Sequence, residues 1–202
     1  MKYIKSIRDR FGTSNTPVFR RSELKLIKGI SKGYLKTLIH NLLARGEIRR
    51  ITKGTYTFHD DADVVCFAFS PSYYGLEDAL SIRKISEQGT NPVVVTLRNV
   101  RRGARRYDGK NYLVYHLDKS LFFGYEQIKR GDFWIPVSDI EKTVIDMVYF
   151  KVGISDELWP EILAAIDRKR LDGYLKRYNK RFQENVNRLL GKYESRFGEG
   201  GI

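Results

Sequence analysis

Between residues 31 and 58 the apolar positions change period once, and that change organises the chain. Leu35, Leu38, Ile39, Leu42 and Leu43 recur at three- and four-residue spacing, which predicts a helix with one buried face. Lys32, Lys36, Thr37, His40 and Asn41 fall on or beside the opposite face. Ser31 is placed to cap its start and Gly46 to end it, since glycine enters the left-handed region cheaply. Beyond Gly46 the pattern becomes that of strands. Ile48 and Ile51 bracket Arg49 and Arg50, Thr52-Lys53-Gly54 makes a turn, and Tyr56 and Phe58 carry a return strand. Upstream, Tyr3, Ile4, Ile7 and Phe11 predict a first helix over 2–11, followed by a loop over 12–17 and a short extended piece at Val18 and Phe19. Ser22 is placed to cap a second helix bearing Leu24, Leu26 and Ile27, which Gly29 breaks. The tight turn between the second and third helices, with a basic hairpin after them, is the layout of a winged helix-turn-helix.

The pattern shifts at the acidic stretch 59–63, where a domain boundary is expected. The continuous apolar run 64–69 predicts a buried strand, and 74–85 a helix through Leu76, Ala79 and Leu80. Strands are expected over 93–97 and 112–117, and a hairpin pairs 121–128 with 133–137. Ser138 and Glu141 have capping-box spacing at the start of a helix carrying Val144, Ile145 and Val148. The remainder reads as helices, with Ser155 as a cap, an interruption at Gly173 and a frayed tail at 199–202. The expected fold class is α+β. It comprises a winged helix-turn-helix over 1–59, a mixed α/β domain over 60–150, and a helical C-terminal region over 151–202 packed on the second domain.

Charge changes this picture most. The chain of 202 residues carries +13, with globular proportions of 42% hydrophobic and 30% charged residues. Residues 1–58 hold 14 Lys and Arg against three acids, a net of +11, whereas the rest holds 23 against 21. An excess confined to one small module points to a polyanion, and duplex DNA rewards neutralisation by counterion release. No run of about 18 apolar residues exists to span a membrane. The start, MKYIKSIRDRFG, lacks the apolar region of a secretory signal. The single cysteine, Cys66, fits a cytoplasmic setting.

The sequence offers little for catalysis. His40, His59 and His116 lie on unlike elements, and no HExxH, GxSxG or GxxxxGK[ST] occurs. Asp139-Ile140-Glu141-Lys142 comes nearest to a nuclease motif but sits at a helix start, so no catalytic, metal or cofactor residues are assigned. The candidate DNA-reading residues are Ser31, Lys32, Tyr34, Lys36, Thr37 and His40, placed where a recognition helix enters a major groove. Arg49, Arg50 and Lys53 would flank phosphates from the wing. Arg20 and Arg21 suit contacts that set register without reading sequence. Arg98, Arg101, Arg102, Arg105 and Arg106 make a second basic patch that could extend the DNA footprint or bind an acidic partner.

The stretch LLARGEIRRITKGTYTF, after a helix-turn-helix, resembles the winged N-terminal module of AbiEi-type antitoxins of abortive-infection toxin–antitoxin systems. YYGLEDAL, VVVTLR, NYLVYHL and IPVSDIEKTVIDMV follow in the order and spacing of that family's second domain. The resemblance implies a repressor that binds inverted repeats upstream of its own operon, as a homodimer or by cooperative assembly. It also implies a non-enzymatic antitoxin that counteracts a nucleotidyltransferase-like toxin. The segment 98–106 is not a signature of the family. The residues alone leave two rivals: a nuclease-like α/β domain targeted by the wing, and a ligand-sensing repressor.

Overall fold

A computed structural model describes residues 3–13, 17–27 and 29–197, except the side chain of Lys32. The loop residues 14–16 and the tail 199–202 lie outside the described residues. The first body contains α1 (Ile4–Phe11), β1 (Val18–Arg20), α2 (Arg21–Leu24), α3 (Lys32–Ala44), β2 (Arg49–Thr52) and β3 (Thr55–Thr57). Its antiparallel strands lie in the order β1-β3-β2. The three-and-four spacing of α3 sets Leu35, Leu38, Ile39 and Leu42 into a core with Ile7, Phe11, Phe19, Leu24, Ile48 and Tyr56. This is a winged helix-turn-helix.

The second helix is a single turn and leaves Leu26 75% exposed. Its start is not capped by Ser22. The N-cap is Arg20, whose backbone N–H donates to the Glu23 carboxylate. Glu23 thereby satisfies a free donor and adds charge of the favourable sign at the helix start.

The second body contains β4 (Ser72–Tyr74), α4 (Leu76–Ile82), β5 (Val93–Thr96), β6 (Gly103–Tyr107), β7 (Lys110–His116), β8 (Tyr125–Arg130) and β9 (Phe133–Ser138). After them come α5 (Ile140–Phe150), α6 (Trp159–Ala165), α7 (Arg168–Leu175) and α8 (Lys180–Phe197). The sheet order is β6-β7-β5-β4-β9-β8, with β4–β9 and β5–β7 parallel and the other pairs antiparallel. Alternation along β5 sends Val93 and Val95 into a core with α5 to α8, and Val94 into a core on the opposite face. Residues 64–69 cover that opposite face, and Val18 and Ile51 of the first body pack there too.

Several expected elements take another form. The run 64–69 is not a strand but part of two 3-10 turns, Ala62–Val64 and Cys66–Phe69. Its local bonds run Val65 N–H to Ala62 O and Ala68 N–H to Val65 O, while the Tyr74 hydroxyl accepts from the Cys66 N–H. A run buried on all sides carries no period that separates the two conformations. The helix expected from 74 starts only at Leu76. Tyr73 and Tyr74 are in β4, and a Cβ on Gly75 would come 2.9 Å from a Val95 methyl. Asp139, not Ser138, caps α5, accepting from the Lys142 N–H at 2.8 Å. Glu141 instead accepts from the Asp167 N–H at 2.7 Å, joining α5 to the start of α7. Gly173 lies inside α7, and the break falls before Asn179, whose side chain accepts from the Phe182 N–H. Ser155 precedes the 3-10 turn Asp156–Leu158 and makes no side-chain cap. The segment 98–106 runs into strand β6, whose Gly, Ala and Arg residues carry little strand signal.

Candidate nucleic-acid interface

The Ser31 hydroxyl accepts from the Tyr34 N–H at 3.2 Å, so it satisfies one of the free donors at the start of α3. With the apolar stripe buried, Gly33, Tyr34, Lys36, Thr37 and His40 are exposed. The side chain of Lys32 lies outside the described residues. Tyr34 is 39% exposed and packs edge-on against Tyr3 at 5.7 Å, which makes it partly a support at the helix edge.

Residues of both wing strands, Arg50 of β2 and Tyr56 of β3, share a hollow with α3. Arg21, Lys36, Ile39, His40, Leu43, Arg50 and Tyr56 line an open hollow of about 200 Å³. Four of these, Arg21, Lys36, His40 and Arg50, are sequence candidates brought together from α2, α3 and β2. None of the lining residues is acidic. Ile39, Leu43 and Tyr56 were not candidates, because their apolar periodicity marks them as core; here they form the floor between the cations. Lys53 is exposed at the wing turn, where Gly54 takes φ +80°.

Two candidates face elsewhere. Arg49 alternates to the other side of β2, where its Nε donates to Asp108 at 3.2 Å and its Nη2 lies 3.8 Å from Asp60. It ties the first body to the second and is not free for phosphate. Arg20 lies beside Arg98, on the second-body side of β1. Burial first, and then the Arg20 charge, lower the Arg98 guanidinium from its usual value.

The strongest polar constellation outside this groove is buried. Lys142 and Asp146 form a fully buried ion pair, the Tyr73 hydroxyl donates to Asp146 at 2.6 Å, and the Tyr174 hydroxyl donates to Asp139 at 2.7 Å. Desolvation pulls Lys142 down and Asp146 up, each toward neutrality, against the attraction between them. Both side chains have no exposed surface, so the pair is structural. Among the described residues no group of three His, Cys, Asp or Glu side chains is placed to hold a metal ion. No described helix is long and apolar enough to cross a membrane.

The whole chain superposes on 83% of a crystal structure of the RV2827C protein from Mycobacterium tuberculosis, with a TM-score of 0.59 at 11% identity. At that identity the likeness is one of fold. No curated protein matches the chain in sequence. One family model does match, described as the transcriptional regulator AbiEi antitoxin, and its match covers residues 14–59. That stretch holds β1 through β3, including α3 and the wing. Over residues 14–59, then, the chain is similar to the AbiEi antitoxin family of transcriptional regulators, the family its sequence resembles.

Proposed function

We propose that this protein is a sequence-specific DNA-binding regulator, the autorepressing antitoxin of a toxin–antitoxin operon whose toxin is nucleotidyltransferase-like. The reading is carried by the convergence of Arg21, Lys36, His40 and Arg50 on an open groove without an acid. A helix about 10–12 Å across fits the major groove of B-DNA. Lys36, Thr37 and His40 would then face base edges, with Arg21, Arg50 and Lys53 on the phosphates either side. The antitoxin role is supported by the family match over the winged module. The protein acts by binding, in the cytoplasm, with two copies on an inverted-repeat operator and no catalytic step of its own.

The test is a gel shift with the operon's own upstream region against random duplex of equal length. Preference for the upstream region is expected, with affinity falling steeply as salt rises. Equal binding to both would remove the sequence-specific claim. Lys36→Ala should cost about 1–3 kcal/mol on the specific duplex and less on the random one, if Lys36 reads a base. The antitoxin claim stands on co-expression with the adjacent gene: rescue of growth is expected, and continued toxicity would refute it.

A further inference from the structure

The arginines of 98–106 divide between the two faces of the large sheet. Arg105 lies across from Tyr112, whose hydroxyl donates to the Ile51 carbonyl of the wing strand. Arg105 therefore belongs to the face that carries the winged module, and β6 itself lies against β2. Arg106 lies across from Asn111 on the other side; Arg102, exposed in the loop before β6, sits over the Tyr115 ring at 4.3 Å. Arg98 joins Arg105: its Nη1 donates to the Ala68 carbonyl at 2.8 Å, while Arg105 lies 5.3 Å from the Phe69 ring. Both thus flank the turn Cys66–Phe69, against which β1 packs, and β1 ends at Arg20.

Charge on this face is balanced in part, with Arg49 held by Asp108 and Asp60, but other cations are left over. Among the described residues Arg20, Arg21, Arg98, Arg101 and Arg105 enter no ion pair. Arg105 Nη2 is bound to the Arg101 carbonyl, but its buried Nη1 has no partner. Arg101 to Arg105 also line an open hollow of about 360 Å³. Gathered like charges repel, and an anion relieves that repulsion. Guanidinium groups match phosphate oxygens through paired N–H donors.

We propose that Arg98, Arg101 and Arg105 form a second phosphate-binding surface for duplex DNA, continuing from Arg20 and Arg21 at the start of α2. The second body then grips the backbone beside the segment that α3 reads. This rests on the DNA-binding reading above and adds affinity without sequence preference. DNA is favoured over an acidic protein because the arginines continue, through Arg20 and Arg21, into the groove lined by Lys36 and Arg50.

The test measures binding to a random 30-base-pair duplex, a length of about three helical turns, by fluorescence anisotropy over a salt series. The double variant Arg101→Gln/Arg105→Gln should flatten the slope of log affinity against log salt by roughly two, at about 0.9 for each phosphate no longer neutralised. The opposite-face variant Arg106→Gln should keep the wild-type slope. A slope flattened as much by Arg106→Gln, per arginine removed, would overturn the assignment to one face. A wild-type slope in Arg101→Gln/Arg105→Gln, while Lys36→Ala still weakens binding to the upstream duplex, would overturn this proposal and leave the DNA-binding reading intact. Failure of the wild type to bind any duplex would overturn both. Arg101→Glu, at an exposed side chain, guards against misfolding. With an unchanged melting temperature it should weaken binding several-fold, and unchanged affinity would count against the proposal.

Discussion

The groove beside α3 and the C-terminal helices are both rich in cations, yet they use them differently. On the helices Arg168 pairs with Glu194, Arg170 with Glu141 and Arg196 with Asp156. The Tyr193 hydroxyl, and then Arg196, hold the Asp156 carboxyl below its usual range. In the groove Arg21, Lys36 and Arg50 meet no acid. Density of Lys and Arg therefore does not mark a binding surface. What distinguishes the groove is convergence: cations from three elements line one hollow with no acid among them, whereas these helix cations each hold a carboxylate.

The largest break in this contrast is Asp146→Ala. It leaves Lys142 buried without its carboxylate and should cost about 3–5 kcal/mol of stability. Chemical denaturation would read this, and an unchanged midpoint would refute the structural role of the pair. Next is the pH dependence set by Asp78, which accepts from the Val93 N–H at 3.1 Å and from the Thr90 hydroxyl. Burial pushes its carboxyl up from 3.8 to about 7. The folded state then holds a proton that the unfolded state has released. Stability is fullest below pH 4 as far as this group is concerned, and falls as pH rises toward 7, by an amount on the order of 2–4 kcal/mol. Asp78→Asn should flatten that fall, and melting curves between pH 4 and 8 would show whether it does. Smallest is Arg168→Ala on the exposed pair with Glu194, worth about 0–1 kcal/mol. It should leave the salt slope on DNA unaltered; a shallower slope would show that these helices also touch phosphate.

The winged module was legible because its signals are local. The stripe of α3, the cap at Ser31 and the turn at Gly54 are read from residues a few positions apart. The groove was legible in part: its cations stood out, while Tyr56, Ile39 and Leu43 did not, since a floor residue and a core residue share one pattern. Arg49 looked equivalent to Arg50, but successive strand residues point to opposite faces, and only the second body decides what Arg49 meets. The run 64–69 failed as a strand because its conformation is selected by the sheet face it covers, through bonds such as that of Cys66 with Tyr74.

The sequence by itself therefore determined a basic winged helix-turn-helix, joined to a mixed sheet and a helical end, since period, cap and turn are properties of short segments. Only the tertiary structure decided which cations are free. Arg49 finds Asp108 across 59 positions, Arg168 finds Glu194 across 26, and the arginines of β6 are divided by the register of β6 with β7. Electrostatic pairing acts over a few ångströms of space, and distance along the chain does not report it.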